Sequence, residues 1–403
     1  MVGTFDNYSC FDGSAHSVYP RFSCCSIYLL DFLKFMSLLR ISKVASLNII
    51  FLLFFLSIIE FFLGSWRNNF FGSNLYIQIP HLTRNKIYKY DVKNLYSSKK
   101  QINIIYKRDE LGYRSKDLIP NRPIVLTVGG STTDQRYVTE GQTFQDILDL
   151  KVKKYDFVNG GVDGQSTYGH LLSISNWHSK FLDKYNTDII IFYVGINDRG
   201  LINKEFTDWD FAQSNKSYIK NALKDNSFFI NKLLVIRNRI KFYLSSKNNR
   251  NDLLTSYSPR EKDFQKIGIK YEFNENLDIK NYQNYKEIFS DLILQTRSNF
   301  PKSKIFIIQQ QIPGCKFVSK NIVYDRHPNQ GRNYCLDLLK VFKLQEKILS
   351  ESKIKKNIKL FPMYLQEIIK DDDVYDYVHT NNKGSKSIAS YIESIINQKI
   401  KNL

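Results

Sequence analysis

The longest apolar stretch of the chain lies near its N-terminus, at residues 44–66. It reads Val-Ala-Ser-Leu-Asn-Ile-Ile-Phe-Leu-Leu-Phe-Phe-Leu-Ser-Ile-Ile-Glu-Phe-Phe-Leu-Gly-Ser-Trp. The stretch is apolar on all sides and is about long enough to cross a bilayer as one helix. A helix packed on a protein core usually keeps a polar face. The pattern therefore predicts a membrane anchor rather than a buried core helix.

Basic residues flank this anchor unequally. Three precede it and one closely follows it: Lys34, Arg40, Lys43 and Arg67. Because positive charge favours the cytoplasmic side, we expect residues 1–43 to be cytoplasmic and the chain after residue 66 to lie outside. The expected location is the cytoplasmic membrane, crossed once, with the main domain on the outer side. A cleaved signal peptide is the alternative, but no small-x-small cleavage site follows the stretch.

Strand-like and helix-like segments alternate from residue 122 to the end of the chain. Short runs of β-branched, aliphatic and aromatic residues lie at residues 124–128, 155–158, 187–194, 304–309 and 358–361. The run at 187–194 is continuously apolar, as in a central parallel strand covered on both faces. Strands that alternate with helices predict an α/β domain with a parallel sheet over residues 122–403.

Three other segments do not follow this alternation. Residues 67–121 are interpreted as a juxtamembrane segment, with a strand expected at 102–106. Residues 200–285 are rich in Lys, Asn and aromatic side chains and are interpreted as an insertion over the strand ends. Residues 1–35 contain no lysine before Lys34, so we interpret Met36 as the true start. A short disordered cytoplasmic tail is the alternative for that segment.

The 403-residue chain carries a formal net charge of +19. Such a balance favours anionic partners, including a membrane surface or an acidic polymer. The basic residues are spread along the chain rather than gathered in a block, so no nucleic-acid partner is expected. The five cysteines include no Cys-x-x-Cys pair, and no metal site is expected. Cys315 and Cys335 form either a disulfide or two buried free thiols.

Glycine-bearing turns follow the first three predicted strands of the domain. They contain Ser131 in Gly-Gly-Ser-Thr-Thr, Gly164 in Asn-Gly-Gly-Val-Asp-Gly, and Asn197 in Gly-Ile-Asn-Asp. The carboxyl ends of parallel strands meet at one edge of a sheet, where ligands gather. We therefore expect these three residues to lie close together, although each turn alone is a weak signal.

Near the C-terminus, the sequence Asp-Tyr-Val-His places Asp376 three residues before His379. A serine needs a base to remove its proton, and a histidine base needs an acceptor that fixes its tautomer. A tetrahedral intermediate also needs hydrogen-bond donors for its oxyanion. The backbone N–H groups of Ser131 and Gly164 and the amide of Asn197 are the candidates.

In this order and at these intervals, the four blocks resemble those of the SGNH hydrolases, also called GDSL-like lipases or acylhydrolases. The resemblance covers about residues 122–200 and 300–400, and its Gly-Gly-Ser-Thr variant is similar to that of membrane-anchored bacterial members. It implies a flavodoxin-like three-layer α/β/α sandwich with five parallel strands and no cofactor. It also implies Ser131 as nucleophile, Gly164 and Asn197 as oxyanion donors, and Asp376 and His379 as acid and base. The block usually written Gly-Asp-Ser has Gly130 in place of the aspartate.

The resemblance implies a serine esterase that cleaves an O-acyl ester, expected to be O-acetyl, through an acyl-serine intermediate. An external anchored domain favours envelope or exported glycans as substrates, by analogy alone. An O-acyltransferase that passes the acyl group to a glycan hydroxyl is the closest alternative. A non-catalytic binder of an anionic polymer is a second alternative, from a different class.

Overall fold

The computed structural model describes two compact units, Met1–Gly64 and Ser65–Leu403. The residues described are 23–64, 79, 82–83, 86–93, 101–114, 118–119, 121–182, 185–203, 208, 227–230, 232–233, 236–237, 282–318, 321–325, 334–351, 357–376 and 378–401. Residues 1–22 of the expected cytoplasmic segment and most of the expected insertion at 200–285 lie outside these ranges.

The first unit contains one long helix, α1, at Ser23–Leu63. Its segment Ser42–Leu63 is 22 residues long and has a mean hydropathy of 2.4, and none of the residues in its most apolar part is buried within the protein. The Ser57 hydroxyl donates to the Leu53 carbonyl within the helix, so this polar group needs no external partner. By length and composition, this segment is a candidate membrane span, as the sequence predicts.

Among its described residues, the second unit contains nine strands, seven helices that are labelled here and a further short α-helix at Ser179–Leu182. The strands are β1 Lys86–Lys93, β2 Gln101–Arg108, β3 Ile124–Gly129, β4 Asp156–Asn159, β5 Thr187–Val194, β6 Lys304–Gln309, β7 Cys315–Val318, β8 Asn321–Asp325 and β9 Ile358–Phe361. The helices are α2 Ser131–Asp134, α3 Phe144–Lys151, α4 Thr167–Ser173, α5 Asp198–Asn203, α6 Tyr282–Asn299, α7 Tyr334–Glu351 and α8 Asn382–Lys401. Helix α4 continues through a π-helical turn at Ile174–His178.

Five of the strands form one parallel sheet in the order β4-β3-β5-β6-β9. Each neighbouring pair in this sheet is parallel. Five parallel strands at the expected positions confirm the α/β prediction. The sheet brings the carboxyl ends of β3, β4 and β5 to one edge.

The two faces of the sheet are covered by different helices. From β5, Ile190, Phe192 and Val194 pack into a core formed with α4, α6 and α7. The alternate residues Ile189, Ile191 and Tyr193 pack into a second core formed with α3 and α8. Successive strand residues point to opposite faces, which explains why this strand is apolar throughout. The result is the predicted three-layer α/β/α sandwich.

A two-stranded antiparallel hairpin, β1–β2, precedes the sheet and packs on its carboxyl edge. Ile104 and Tyr106 of β2 are buried. The ring of Tyr90 contacts Tyr137, and Tyr137 contacts Tyr375 near the C-terminal histidine, with centroid separations of 5.4 and 6.0 Å. The strand expected at 102–106 is therefore present, and it supports the edge where the glycine turns lie.

Cys315 and Cys335 form a disulfide that joins the start of β7 to the start of α7. Of the two alternatives left open by the sequence, the structure therefore contains the bond rather than two free thiols. Both residues are buried in the core that α7 shares with the sheet. The cross-link closes a loop with a sequence separation of 20, worth about 3 kcal/mol in the chain-entropy model.

Two buried histidines predict how stability depends on pH. His170 and His178 are buried, and desolvation lowers the pKa of each from 6.5 to about 3. Both are neutral in the folded protein but gain a proton below about pH 6.5 when unfolded. The free energy of unfolding should therefore fall as pH decreases from 6.5, by about 1.4 kcal/mol per pH unit for each histidine. Urea denaturation of wild type and of His178→Gln between pH 7 and about 5 measures this, and the variant should lose about half of the slope.

Candidate active site

Ser131 is the first residue of the short helix α2, separated from the end of β3 by Gly130. The glycines before it permit close packing at the sheet edge. A Cβ at Gly129 would lie 2.6 Å from the carbonyl oxygen of Tyr193 in β5. A Cβ at Gly130 would lie 2.5 Å from the side-chain nitrogen of Asn197. Real Cβ atoms do not approach so closely, so Gly130 leaves room for the Asn197 amide. This close packing accounts for glycine at the position that departs from Gly-Asp-Ser.

The structure brings Ser131 together with the two residues near the C-terminus. The distance between His379 Nε2 and Ser131 Oγ is 2.8 Å, and that between His379 Nδ1 and Asp376 Oδ2 is 2.6 Å. The second carboxylate oxygen, Oδ1, accepts from the backbone N–H groups of Val378 and His379. The turn thereby fixes the carboxylate, which in turn orients the imidazole with one nitrogen towards the serine.

Opposing effects act on the pKa of His379. Burial disfavours the imidazolium, but the Asp376 carboxylate, its hydrogen bond and the charges of Asp163 and Asp134 together raise the pKa above 6.5. For Asp376, burial favours the protonated form, but His379 and the backbone donors outweigh it and lower the pKa. The carboxylate therefore stays ionised and stabilises a proton on the imidazole, as a base that accepts the serine proton requires.

The predicted oxyanion donors lie at the same edge. The Asn197 side-chain amide donates to the Gln165 carbonyl at 2.7 Å, which links the turn after β5 to the turn after β4. Gly164, directly before Gln165, is exposed and has a φ of 78°, a conformation that favours glycine. Within the described ranges, the N–H groups of Ser131 and Gly164 have no hydrogen-bond partner. Both N–H groups are thus available to an oxyanion.

Asp198 fixes the turn after β5 that carries Asn197. Its carboxylate accepts from the backbone N–H and hydroxyl of Thr167 and from the hydroxyl of Tyr285. Burial raises its pKa to about 6, against the opposing effect of these donors. In the sequence, the only signal for Asp198 is its place directly after Asn197, at the end of Gly-Ile-Asn-Asp.

Two glutamines that the sequence analysis did not single out also hold the site. Gln310, just beyond β6, donates to the Thr132 hydroxyl at 2.6 Å and accepts from the Ile196 N–H at 3.0 Å. It thereby connects the serine turn to the asparagine turn. Three glutamines follow one another at the end of a buried strand, at residues 309–311, and this run was the detectable signal.

Gln135 connects the serine turn to the histidine loop. Its backbone is left-handed, with a φ of 51°, directly after α2. Its side-chain nitrogen donates to the hydroxyls of Thr380 and Ser385, at 2.8 and 2.7 Å. Thr380 directly follows His379, so this contact fixes the serine and histidine segments against each other. Nothing in the local sequence pattern indicates such a contact between residues 245 apart.

All five residues predicted from the four motifs thus lie at the carboxyl edge of a five-stranded parallel sheet. The expected five parallel strands are present, in the order β4-β3-β5-β6-β9. The domain thus has the flavodoxin-like α/β/α architecture that the resemblance to the SGNH hydrolases implies. Among the described residues of this fold, no group of three or more His, Cys, Asp or Glu side chains is arranged to hold a metal ion.

Comparison with solved structures finds several that are similar to this chain. One is a member of the lipolytic protein G-D-S-L family from Veillonella parvula DSM 2008, at 13% identity and a TM-score of 0.36, covering 68% of this chain and 98% of that one. A second is a putative GDSL-like lipase from Bacteroides ovatus ATCC 8483, at 12% identity and a TM-score of 0.39, covering 81% and 79%. A third is the acetyl xylan esterase AlAXEase, at 16% identity and a TM-score of 0.36, covering 68% and 99%.

Comparison of the sequence with family models and with curated proteins finds no match. The identities and TM-scores of the solved structures are low, so neither activity nor substrate is transferred from them. The chemistry of this site is inferred from the positions and charges of its own residues.

The raised pKa of His379 predicts the pH dependence of any reaction that needs its neutral form. The value of kcat/KM should decrease as the pH falls, with a midpoint above pH 6.5. Asp163 helps to raise this pKa, so Asp163→Asn should move the midpoint to lower pH. Glu393→Gln is the matched control, because Glu393 also forms a part-exposed ion pair, with Lys151, but is not among the charges that shift His379. An unchanged midpoint in Asp163→Asn would contradict the electrostatic account.

Proposed function

We propose that this chain is a serine esterase that cleaves an O-acyl ester through an acyl-serine intermediate. The observation that carries the proposal is the pair of contacts made by one imidazole, 2.8 Å to Ser131 Oγ and 2.6 Å to the Asp376 carboxylate. A neutral histidine at hydrogen-bond distance from a serine hydroxyl is a positioned base, and a carboxylate on its other nitrogen fixes the tautomer.

In the first half-reaction, His379 Nε2 takes the proton of Ser131 as Oγ bonds to the ester carbonyl carbon. The carbonyl oxygen becomes an oxyanion, which accepts hydrogen bonds from the N–H groups of Ser131 and Gly164 and from the Asn197 amide. The carbon–oxygen bond to the alcohol then breaks. The leaving oxygen takes the proton from His379, and the acyl group stays on Ser131.

The second half-reaction restores the serine. A water molecule loses a proton to His379 and bonds to the acyl carbon, which gives a second oxyanion at the same donors. The bond from the carbon to Ser131 Oγ breaks, and Oγ takes the proton back from His379. The products are one carboxylic acid and one alcohol for each ester cleaved.

We place the esterase domain outside the cytoplasmic membrane, held by α1. The excess of basic residues before the apolar segment supports this orientation. The Cys315–Cys335 disulfide also supports it, because such bonds persist in oxidising compartments and are rare in the cytosol. An anchored external enzyme meets envelope and exported glycans, so the proposed substrates are O-acyl, and specifically O-acetyl, groups on such glycans.

The direct test is covalent labelling of the full-length protein in detergent with a fluorophosphonate probe. Wild type should be labelled at one site and should hydrolyse a chromogenic acetyl ester. Ser131→Ala should show neither the labelling nor the hydrolysis, because the nucleophile is absent. Ser166→Ala is the matched control, since Ser166 is a buried hydroxyl in the neighbouring turn, bonded to Asp208. Equal labelling of wild type and Ser131→Ala would exclude the proposed function.

Product analysis separates hydrolysis from transfer. With an acetylated glycan as donor, the enzyme should release acetate and deacetylated glycan in equal amounts, with water as acceptor. Addition of an unacetylated glycan should leave the amount of acetate unchanged. A fall in acetate together with acetylation of the added glycan would show that the site transfers the acyl group, and the hydrolase assignment would be wrong.

A further inference from the structure

Arg108, at the end of β2, is 2% exposed and lies under the serine turn. A buried guanidinium is costly unless each of its nitrogens has a partner. In this structure, each of the three guanidinium nitrogens of Arg108 donates a hydrogen bond. Nε donates to the Tyr106 hydroxyl at 2.6 Å, Nη1 donates to the Gly112 carbonyl, and Nη2 donates to Asp134 Oδ1 at 2.7 Å and to the Gly161 carbonyl.

Two of these partners belong to different parts of the site. Asp134 is the last residue of α2, the helix that Ser131 begins. Gly161 lies in the turn after β4, three residues before Gly164. The two segments touch backbone to backbone, since a Cβ at Gly161 would lie 2.4 Å from the Asp134 nitrogen. One guanidinium nitrogen therefore spans the contact between the nucleophile helix and the oxyanion turn.

We propose that Arg108 is a positioning residue of the esterase site, which holds the helix of Ser131 and the turn of Gly164 in register. The inference rests on the proposed function, because register matters only if both segments act on one ester. It assigns a role in catalysis to the β1–β2 hairpin, which precedes the five-stranded sheet in the chain. A merely structural role would make the protein less stable but leave the turnover of folded molecules unchanged.

Arg108 also balances the charge beneath the site. Asp134 is fully buried, and its Oδ2 has no hydrogen-bond partner. The groups that face this carboxylate are Arg108, the hydroxyl of Tyr106 and Arg136, whose Nε lies 3.9 Å from Oδ2. Arg136 also pairs with Asp163 at 3.0 Å and keeps a positive charge near Asp134.

Loss of Arg108 therefore leaves the Asp134 charge less balanced, and that charge acts on the imidazole. The charges that raise the pKa of His379 are those of Asp376, Asp163 and Asp134. Removal of Arg108 takes a positive charge from beside Asp134, so the net charge beneath the site becomes more negative and favours a proton on His379. The acid limb of the pH–rate profile should then move to higher pH.

The test compares kinetics of the full-length protein in detergent on a small chromogenic ester. In Arg108→Met, kcat should fall by about tenfold to a hundredfold, because the nucleophile and oxyanion donors lose register. KM should change little, since Arg108 does not reach the exposed edge. The acid limb should move up in Arg108→Met and return to or below its wild-type position in Arg108→Met/Asp134→Asn. Arg108→Lys keeps the charge and should keep the wild-type acid limb with an intermediate kcat.

Arg122→Met is the matched control. Arg122 pairs with buried Asp156 at 3.1 Å, but at the opposite end of the sheet, where β4 begins. It should lower the melting temperature and leave kcat and the acid limb unchanged. If Arg108→Met does not fold, Arg108→Lys and Asp134→Asn carry the test, and Asp134→Asn should move the acid limb to lower pH.

Three results would overturn the inference. They are a folded Arg108 variant with wild-type kcat and acid limb, an Arg122→Met variant with the same loss of kcat, and an Asp134→Asn variant with an unmoved acid limb. Failure of the proposed function looks different, because wild type would then show no hydrolysis that depends on Ser131. In that case, NMR titration of the His379 imidazole in wild type and Asp134→Asn still measures the charge effect, and equal pKa values would refute it.

Discussion

The site depends on one hydrogen bond between residues far apart in the chain. His379 Nε2 and Ser131 Oγ are 2.8 Å apart, yet 248 positions separate them in sequence. Two segments so far apart in the chain can form a precise contact only if the packing around each segment fixes its position. Ser131 follows β3, an interior strand of the sheet, and His379 lies three residues before α8, which packs on one face of the same sheet. The sheet and its covering helix thus convert two distant segments into one reactive pair.

The contacts around this pair explain why so many polar groups are buried there. Gln135 joins the serine turn to the histidine loop, Gln310 joins it to the asparagine turn, and Arg108 joins it to the turn of Gly164. Each of these side chains uses several of its donors and acceptors on different segments. A buried polar group that is fully paired specifies one arrangement, whereas an apolar side chain of the same size would tolerate several. Precision at the serine is thereby maintained by hydrogen bonds rather than by hydrophobic packing alone.

The sequence was sufficient to predict the sheet, and physical reasons explain why. The strands at residues 124–128 and 187–194 are short, apolar and bounded by glycine turns, so local pattern determines them. Ser131, Gly164 and Asn197 were recognisable because each follows the end of a strand. Asp376 and His379 were recognisable because they lie three residues apart. The supporting residues were not predictable in this way. Arg108 and Gln135 are polar residues in positions that a local pattern assigns to the surface, and only the tertiary fold buries them.

If Ser131 carries the acyl group between the two half-reactions, this residue is acylated during turnover. Acid quenching during turnover of a chromogenic acetyl ester, followed by peptide mass spectrometry, measures this directly. The expected result is one acetyl group on the peptide that contains Ser131, with a burst of released alcohol equal to the amount of enzyme. Steady hydrolysis with no acyl group on Ser131, or with the acyl group on another residue, would contradict it.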